Sequence, residues 1–433
     1  MRIRNSPTLP AELWREVLLH VCSIPDEFDI SSTANGETTY YRHQIYLHNW
    51  RNAMKQRLHV ALISKFLYAI ATEFLYASFI IQSHSDYAKV VEIVRRPETA
   101  RQLRRITINR PLPCMTLEDF RHCKRLSVYV NVAERRNNAV EWSCPPMMGP
   151  NLTYLEVRNV KNYPWNPSWK KILEMLPECR SLRALRFTEF IEWETDRPCP
   201  LSGRLCTLPQ LELLELTRTT DCHAESLLFT QWLPSLILPK LNTLLLNAGD
   251  LYGPALMAYG NTICTLRINK FHPPTPSKIF PLPKLRRLIS AYSFVDAVRW
   301  EWLPATIQMD TLEVFEVNLE RAIAKLEVFF PEIWSPWMHT DLSGLLGLLS
   351  DPSVTPCLKE VDFDLSLRTY GVAGGGLQET LTQWNKEMVR QRPEVKLRTQ
   401  FWEEGTEWTS MSLDCLLKYN TTPLPPPALP EAL

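Results

Sequence analysis

The sequence predicts an α+β protein in which a small N-terminal helical module precedes a long α/β array of stacked repeats. Three observations predict it. Residues 9–21, LPAELWREVLLHV, set apolar side chains at helical spacing. A pattern of apolar-x-x-apolar-x-apolar returns from residue 103 to residue 363. Stretches of helical character lie between several of these returns, so each unit reads as a strand with a return segment.

The first zone spans residues 8–81. Pro10 sits where a helix can begin, and Glu12 falls in the first turn, at the positive end of the helix dipole. Leu13, Trp14, Val17, Leu18 and Val21 then form one wide apolar stripe. A polar insert over about residues 23–57 opens with SIPDEFDISSTANGETTYY, whose Pro, Gly, Ser and Thr content marks a loop. Helical character resumes in HQIYLHNW and continues to Phe74, with Leu58, Ala61, Leu62, Phe66, Ala69 and Ile70 at three- and four-residue intervals. Part of the opening stripe packs on these helices. Both nevertheless carry more large apolar residues than a module of this size has core to hide, which points to an external partner.

The second zone, residues 82–370, holds the repeat. LTYLEV at 152, LRALRF at 182, LELLEL at 211, LNTLLL at 241, ICTLRI at 263, LEVFEV at 312 and LKEVDF at 358 share the pattern. LRRITI at 103 fits, CKRLSV at 123 fits loosely, and LRRLIS at 285 keeps its first two anchors. The spacing is the period of leucine-rich repeats, and the array is an irregular leucine-rich-repeat α/β solenoid. The last two anchors lie two residues apart, so on a strand they point into one core. SDYAKVVEIVRR, PSWKKILEMLPEC and CHAESLLFTQWLPSL supply return segments. The Asn or Cys that usually follows the third anchor is missing: Val160, Phe190, Thr219 and Gly249 stand near that place, so loop geometry varies. Leu312 to Leu358 is about twice the usual length, a degenerate repeat or a projecting insertion.

A third zone, residues 371–405, opens on GVAGGG, continues in a helix with Leu377, Leu381, Trp384 and Met388 on one side, and ends in the alternating VKLRTQFW. It reads as the closing cap of the array. Residues 421–433 are a Pro-rich tail without a packed structure.

Composition narrows the function. A net charge of +1 recruits neither nucleic acid nor membrane. The arginine-rich stretch over residues 95–136 reads as a solvated face, with an acidic patch on a partner as the sharper alternative. Eleven cysteines, an odd number without a C-x-x-C pair, suit reduced thiols of the cytoplasm or nucleus. GVAGGG lacks the Lys-Ser/Thr of a phosphate loop, and no zinc spacing occurs. Asp221-Cys222-His223 are chain neighbours that do not face one another as a nucleophile and base must. Asp362 and Asp364 read as solvated charges on one strand face. The expectation is a protein without catalytic residues, metal or cofactor.

LPAELWREVLLHV, followed by ALISKFLYAIATEFLYASFII, resembles the F-box. Leu9, Pro10, Glu12 and Leu13 match its Leu-Pro-x-Glu-Leu opening, Val17 and Leu18 its apolar pair, and Ile63, Ser64 and Lys65 its second segment. Leu67 replaces the usual Trp, and the halves are separated by an insert roughly thirty residues long. With PDEFD in the insert and FLYAS closing the module, the chain looks like a fungal group of F-box proteins with irregular leucine-rich repeats. The resemblance implies a substrate receptor of an SCF-type ubiquitin ligase. Leu9, Pro10, Leu13, Val17, Leu18, Ile63 and Lys65 would meet the Skp adaptor, and through it a cullin scaffold. Ubiquitin transfer would belong to other subunits.

The target is an unidentified protein. Strand residues between the anchors are expected on an open concave surface: Tyr154, Glu156, Arg158, Arg186, Glu215, Arg267, Glu316 and Asp362. Trp334 and Trp337 in the long insertion are candidate anchors. The alternative function is a leucine-rich-repeat interaction scaffold whose N-terminal helices only cap the array, with no ligase role.

Overall fold

A computed structural model describes residues 10–22, 39–108, 123–130, 149–159, 175–190, 205–218, 233–246, 249–268, 279–291, 303, 307–318, 343–365, 375–401 and 409–412. The chain is a mixed helix and strand protein that divides into two compact units, Met1–Thr262 and Ile263–Leu433.

The first unit opens with three helices, α1 (Ala11–Cys22), α2 (Thr39–Ile63) and α3 (Lys65–Leu75). Pro10 stands just before α1, and its carbonyl accepts the amide of Trp14 at 3.1 Å, the first bond of the helix. The apolar periodicity that ran unbroken to Phe74 is interrupted at Ser64. There the backbone turns extended, and the Ser64 hydroxyl accepts the Leu67 amide at 3.1 Å, starting a new helix. The other end of α3 is closed by Arg57, whose Nη1 donates to the carbonyl of Phe74 at 3.0 Å. Leu18, Ile70, Trp14, Val60 and Phe74 form one small core, and Ala61, Ala71, Leu75, Met54 and Tyr76 a second.

Strands follow at every one of the repeat positions. In the first unit β1 (Ser78–Ile81), β2 (Arg105–Ile108), β3 (Arg125–Val130), β4 (Tyr154–Asn159), β5 (Ala184–Phe190), β7 (Leu213–Arg218) and β9 (Thr243–Leu246) lie side by side in chain order, all parallel. The register aligns the anchors: Phe79, Ile106, Leu126, Leu155, Leu185, Leu214 and Leu244 stand opposite one another, all buried. Most of these strands are entered in one way. The two residues after the first anchor both donate their amides to a single carbonyl of the preceding strand entry, as Glu212 and Leu213 do to Arg183. α4 (His84–Val94) and α5 (Pro97–Ala100) make the first return segment.

A second motif escapes the repeat pattern. β6 (Cys206–Thr207) and β8 (Leu236–Ile237) pair in a separate two-stranded parallel sheet. Each leads into a turn that closes on the next first anchor, with Leu211 donating to Leu208 and Leu241 to Leu238 at 3.2 Å. The sequence signal is Leu-Pro-x-Leu, at 208–211, 238–241 and again at 282–285, with Pro at the second turn position, where its fixed φ fits.

The second unit continues the same construction within itself. β10 (Thr265–Ile268), β11 (Arg287–Ala291), β12 (Val314–Asn318), β13 (Glu360–Leu365) and β14 (Lys396–Phe401) are parallel neighbours, and β15 (Thr409–Ser412) closes the edge antiparallel. β15 lies beyond residue 405, past the segment expected as the cap. β12 pairs directly with β13, and the helix over residues 343–350, between them in the chain, buries Leu345 and Leu349. The helix Gly375–Gln391 buries Trp384 and Met388, with Trp384 edge-on to Phe363 at 5.3 Å between ring centres. The tail 421–433 lies outside the described residues.

Candidate functional site

The helical face is built by splitting the α1 stripe in two. Trp14 and Leu18, one turn apart, enter the core against Ile70, Val60 and Phe74, and Leu18 retains 3% exposure. Leu13 and Val17, displaced by one residue, turn outward at 50% and 41%. On α2 the same division leaves Leu58, Leu62 and Ile63 exposed, Ile63 at 70%, and on α3 Phe66 and Tyr68. The residues expected to meet an adaptor therefore separate. Pro10, Leu13, Val17, Ile63 and Lys65 are on the surface, Leu18 belongs to the core, and Leu9 lies outside the described residues. Leu67, where the F-box usually has Trp, is buried. Leu58 and Leu62 of α2 and Phe66 of α3 stand exposed beside them; the i, i+4 spacing of Leu58 and Leu62 in a helix already half committed to a core was the available signal. An ion pair between Arg15 and Glu73 ties α1 to α3 beside this face.

The concave strand residues do not form an open surface. Tyr154, Glu156, Arg186, Glu215, Arg267, Glu316 and Asp362 are all buried, at 0–4% exposure. This corrects the expectation of a solvated target face, and of Asp362 as a solvated charge. Reading each strand alone missed that register sets acids beside bases. Arg186 stands opposite Glu215 and donates from Nη1 at 2.8 Å. Tyr154 donates its hydroxyl to Glu156 at 2.9 Å, and Arg287 binds Glu316. Charges that pair across strands can be enclosed where single charges cannot. Arg158, Trp334 and Trp337 carry side chains outside the described residues, as does Asp364.

Cys123 and Cys206 are buried thiols. Burial pushes the Cys123 thiol up to about 12 and the Cys206 thiol up to about 11, so neither offers a thiolate near neutral pH. Asp221, Cys222 and His223 lie outside the described residues. Among the described residues no cluster of three His, Cys, Asp or Glu is placed to hold a metal ion, and no helix is long and apolar enough to cross a membrane. No protein-family model matches the chain, and no curated protein matches it in sequence.

Proposed function

We propose that the chain is the substrate-recognition subunit of an SCF-type ubiquitin ligase, acting in the cytoplasm or nucleus. Its F-box-like helices would dock on the Skp adaptor, and its irregular leucine-rich-repeat solenoid would hold a target protein. One observation carries the adaptor half: α1, α2 and α3 have their own core, yet leave Leu13, Val17, Leu58, Leu62, Ile63 and Phe66 outside it. Several large apolar side chains on three neighbouring helices are a surface that a partner covers. The buried strand charges are not its target contacts. They hold the repeats together, and the target falls to other parts of the array.

A second reading is a repeat scaffold whose helices act as an end cap. It is favoured by the α2 contacts with the first strand: Leu47, Ala53 and Trp50 pack on Ile80, and Trp50 Nε1 donates to Ser78 Oγ at 3.1 Å. The deciding experiment is co-purification of the full chain with a Skp–cullin complex. Leu13→Asp with Val17→Asp is expected to abolish the association while far-UV dichroism and thermal midpoint stay close to wild type, since both side chains are already half in water. Wild type that never captures the adaptor, or a double variant that captures it normally, rejects the ligase reading and leaves the scaffold.

A further inference from the structure

The apolar stripe of α1 is wider than the core that receives it. Successive residues turn about 100° around a helix, so Leu13, Val17, Trp14 and Leu18 take adjoining angular positions in that order. Among the described residues, α1 meets its neighbours through one apolar cluster, Trp14 and Leu18 against Val60, Ile70 and Phe74. Leu13 and Val17 are also large and apolar, yet remain outside it. Apolar attraction has no direction. A rotation of α1 about its own axis would draw Leu13 and Val17 inward and release Trp14, changing the total burial of the stripe only in part. Burial alone therefore sets the rotation of this helix loosely.

One directional contact sets it further. Arg15 lies beyond Leu18 in the same angular order, on the flank opposite Leu13 and Val17. Its Nη2 donates to Glu73 Oε1 on α3, and both side chains of this ion pair are about half exposed. Glu73 holds the Arg15 guanidinium above its ordinary range, first through that hydrogen bond and then through its charge, with smaller pulls from Glu12 and Glu16. Glu12 and Glu16 belong to α1 and travel with Arg15, so neither can fix its rotation. Glu73 belongs to a helix that is itself held at both ends, by the Ser64 cap and by Arg57. An exposed pair adds little to stability. Settings that differ little in burial need only a small directional contact to be told apart, as polar contacts fix register elsewhere.

We propose that Arg15 and Glu73 are positioning residues that set the rotation of α1, turning Trp14 and Leu18 inward and presenting Leu13 and Val17 outward. The consequence for an adaptor rests on the proposed docking of that face; the rotation itself does not.

The test compares the full wild-type chain with Arg15→Glu, with Glu73→Arg, and with both changes together. Hydroxyl-radical footprinting read by mass spectrometry reports the solvent access of each side chain in α1. Either single reversal sets like charges opposite one another. It is expected to raise oxidation of Trp14 and lower that of Leu13 and Val17, each by about threefold, the scale of an exposed pair. The combined variant restores opposite charges and is expected to return all three residues to their wild-type oxidation. This reciprocal change separates rotation from a loosened helix, which would raise all three together. Capture of a Skp–cullin complex, measured on the same proteins, is expected to fall in each single variant and recover in the combined one. Reciprocal footprints without capture by any of them, wild type included, uphold the positioning and reject the ligase reading. Equal footprints in all the proteins overturn the positioning even where wild type captures the adaptor. So does a uniform rise in the single variants, or a combined variant that keeps their footprint.

Discussion

Arg392 shows how one side chain joins elements that are far apart in sequence. It is buried at the turn between the helix Gly375–Gln391 and β14. Its Nη1 donates to the carbonyl of Leu349 at 3.2 Å and to both the carbonyl and hydroxyl oxygens of Thr355 at 2.9 Å, while Nε reaches Glu394 at 2.8 Å. The guanidinium thus satisfies the Leu349 carbonyl in the last turn of the 343–350 helix and the Thr355 carbonyl in the turn after it. Its bond to Glu394 holds that exposed carboxyl below the usual range. Arg392→Met keeps most of the volume and removes every one of these donors. The expected loss is about 2–3 kcal/mol, from buried acceptors left without partners. Urea unfolding measures it, and a midpoint equal to wild type would show that water replaces the arginine without cost.

At the scale of elements, the two faces of α1 make opposite predictions. Leu18 touches Ile70 in a core of few residues, so Leu18→Ala is expected to cost about 2–4 kcal/mol of module stability. Leu13→Ala, one turn away and half exposed, should stay within about 0.5 kcal/mol. Equal costs in thermal unfolding would mean that α1 is packed differently. The same comparison explains what was legible in the sequence. Strand positions were legible because LxxLxL fixes three buried anchors with a period of two, and all ten segments became strands. The break at Ser64 was not, since apolar spacing continues through it and only a single capping hydroxyl marks it. β6 and β8 were missed because two-residue strands carry no alternation; the Leu-Pro-x-Leu turns beside them were the usable trace. The largest error concerned Arg186, Glu215 and their row. Alternation predicts which side a residue faces, but whether that side is wet depends on the neighbour in register, some 29 residues away along the chain.

At the scale of the molecule, a parallel sheet built in chain order has an edge problem at each end of its run. An exposed edge offers unpaired amides and carbonyls to other chains. In the second unit β15 turns antiparallel on β14, and Trp384 covers Phe363. In the first unit the outermost strand is β1, and α2 supplies its cover through Leu47, Trp50 and Ala53. The N-terminal helices therefore serve the sheet with one half of α2, while the other half stands with the exposed face of α1 and α3. Removing residues 1–76 separates these duties from the surface substitutions. The deletion strips Ile80 of its apolar cover and Ser78 of its indole donor, so amides of β1 and β2 are expected to exchange at least about tenfold faster, by loss of roughly 1.4 kcal/mol or more of local protection. Leu13→Asp with Val17→Asp leaves Leu47, Trp50 and Ala53 in place and should not alter that exchange. Hydrogen exchange read by mass spectrometry on both proteins decides it: unchanged protection of Ser78–Ile81 in the deletion would deny α2 any capping role.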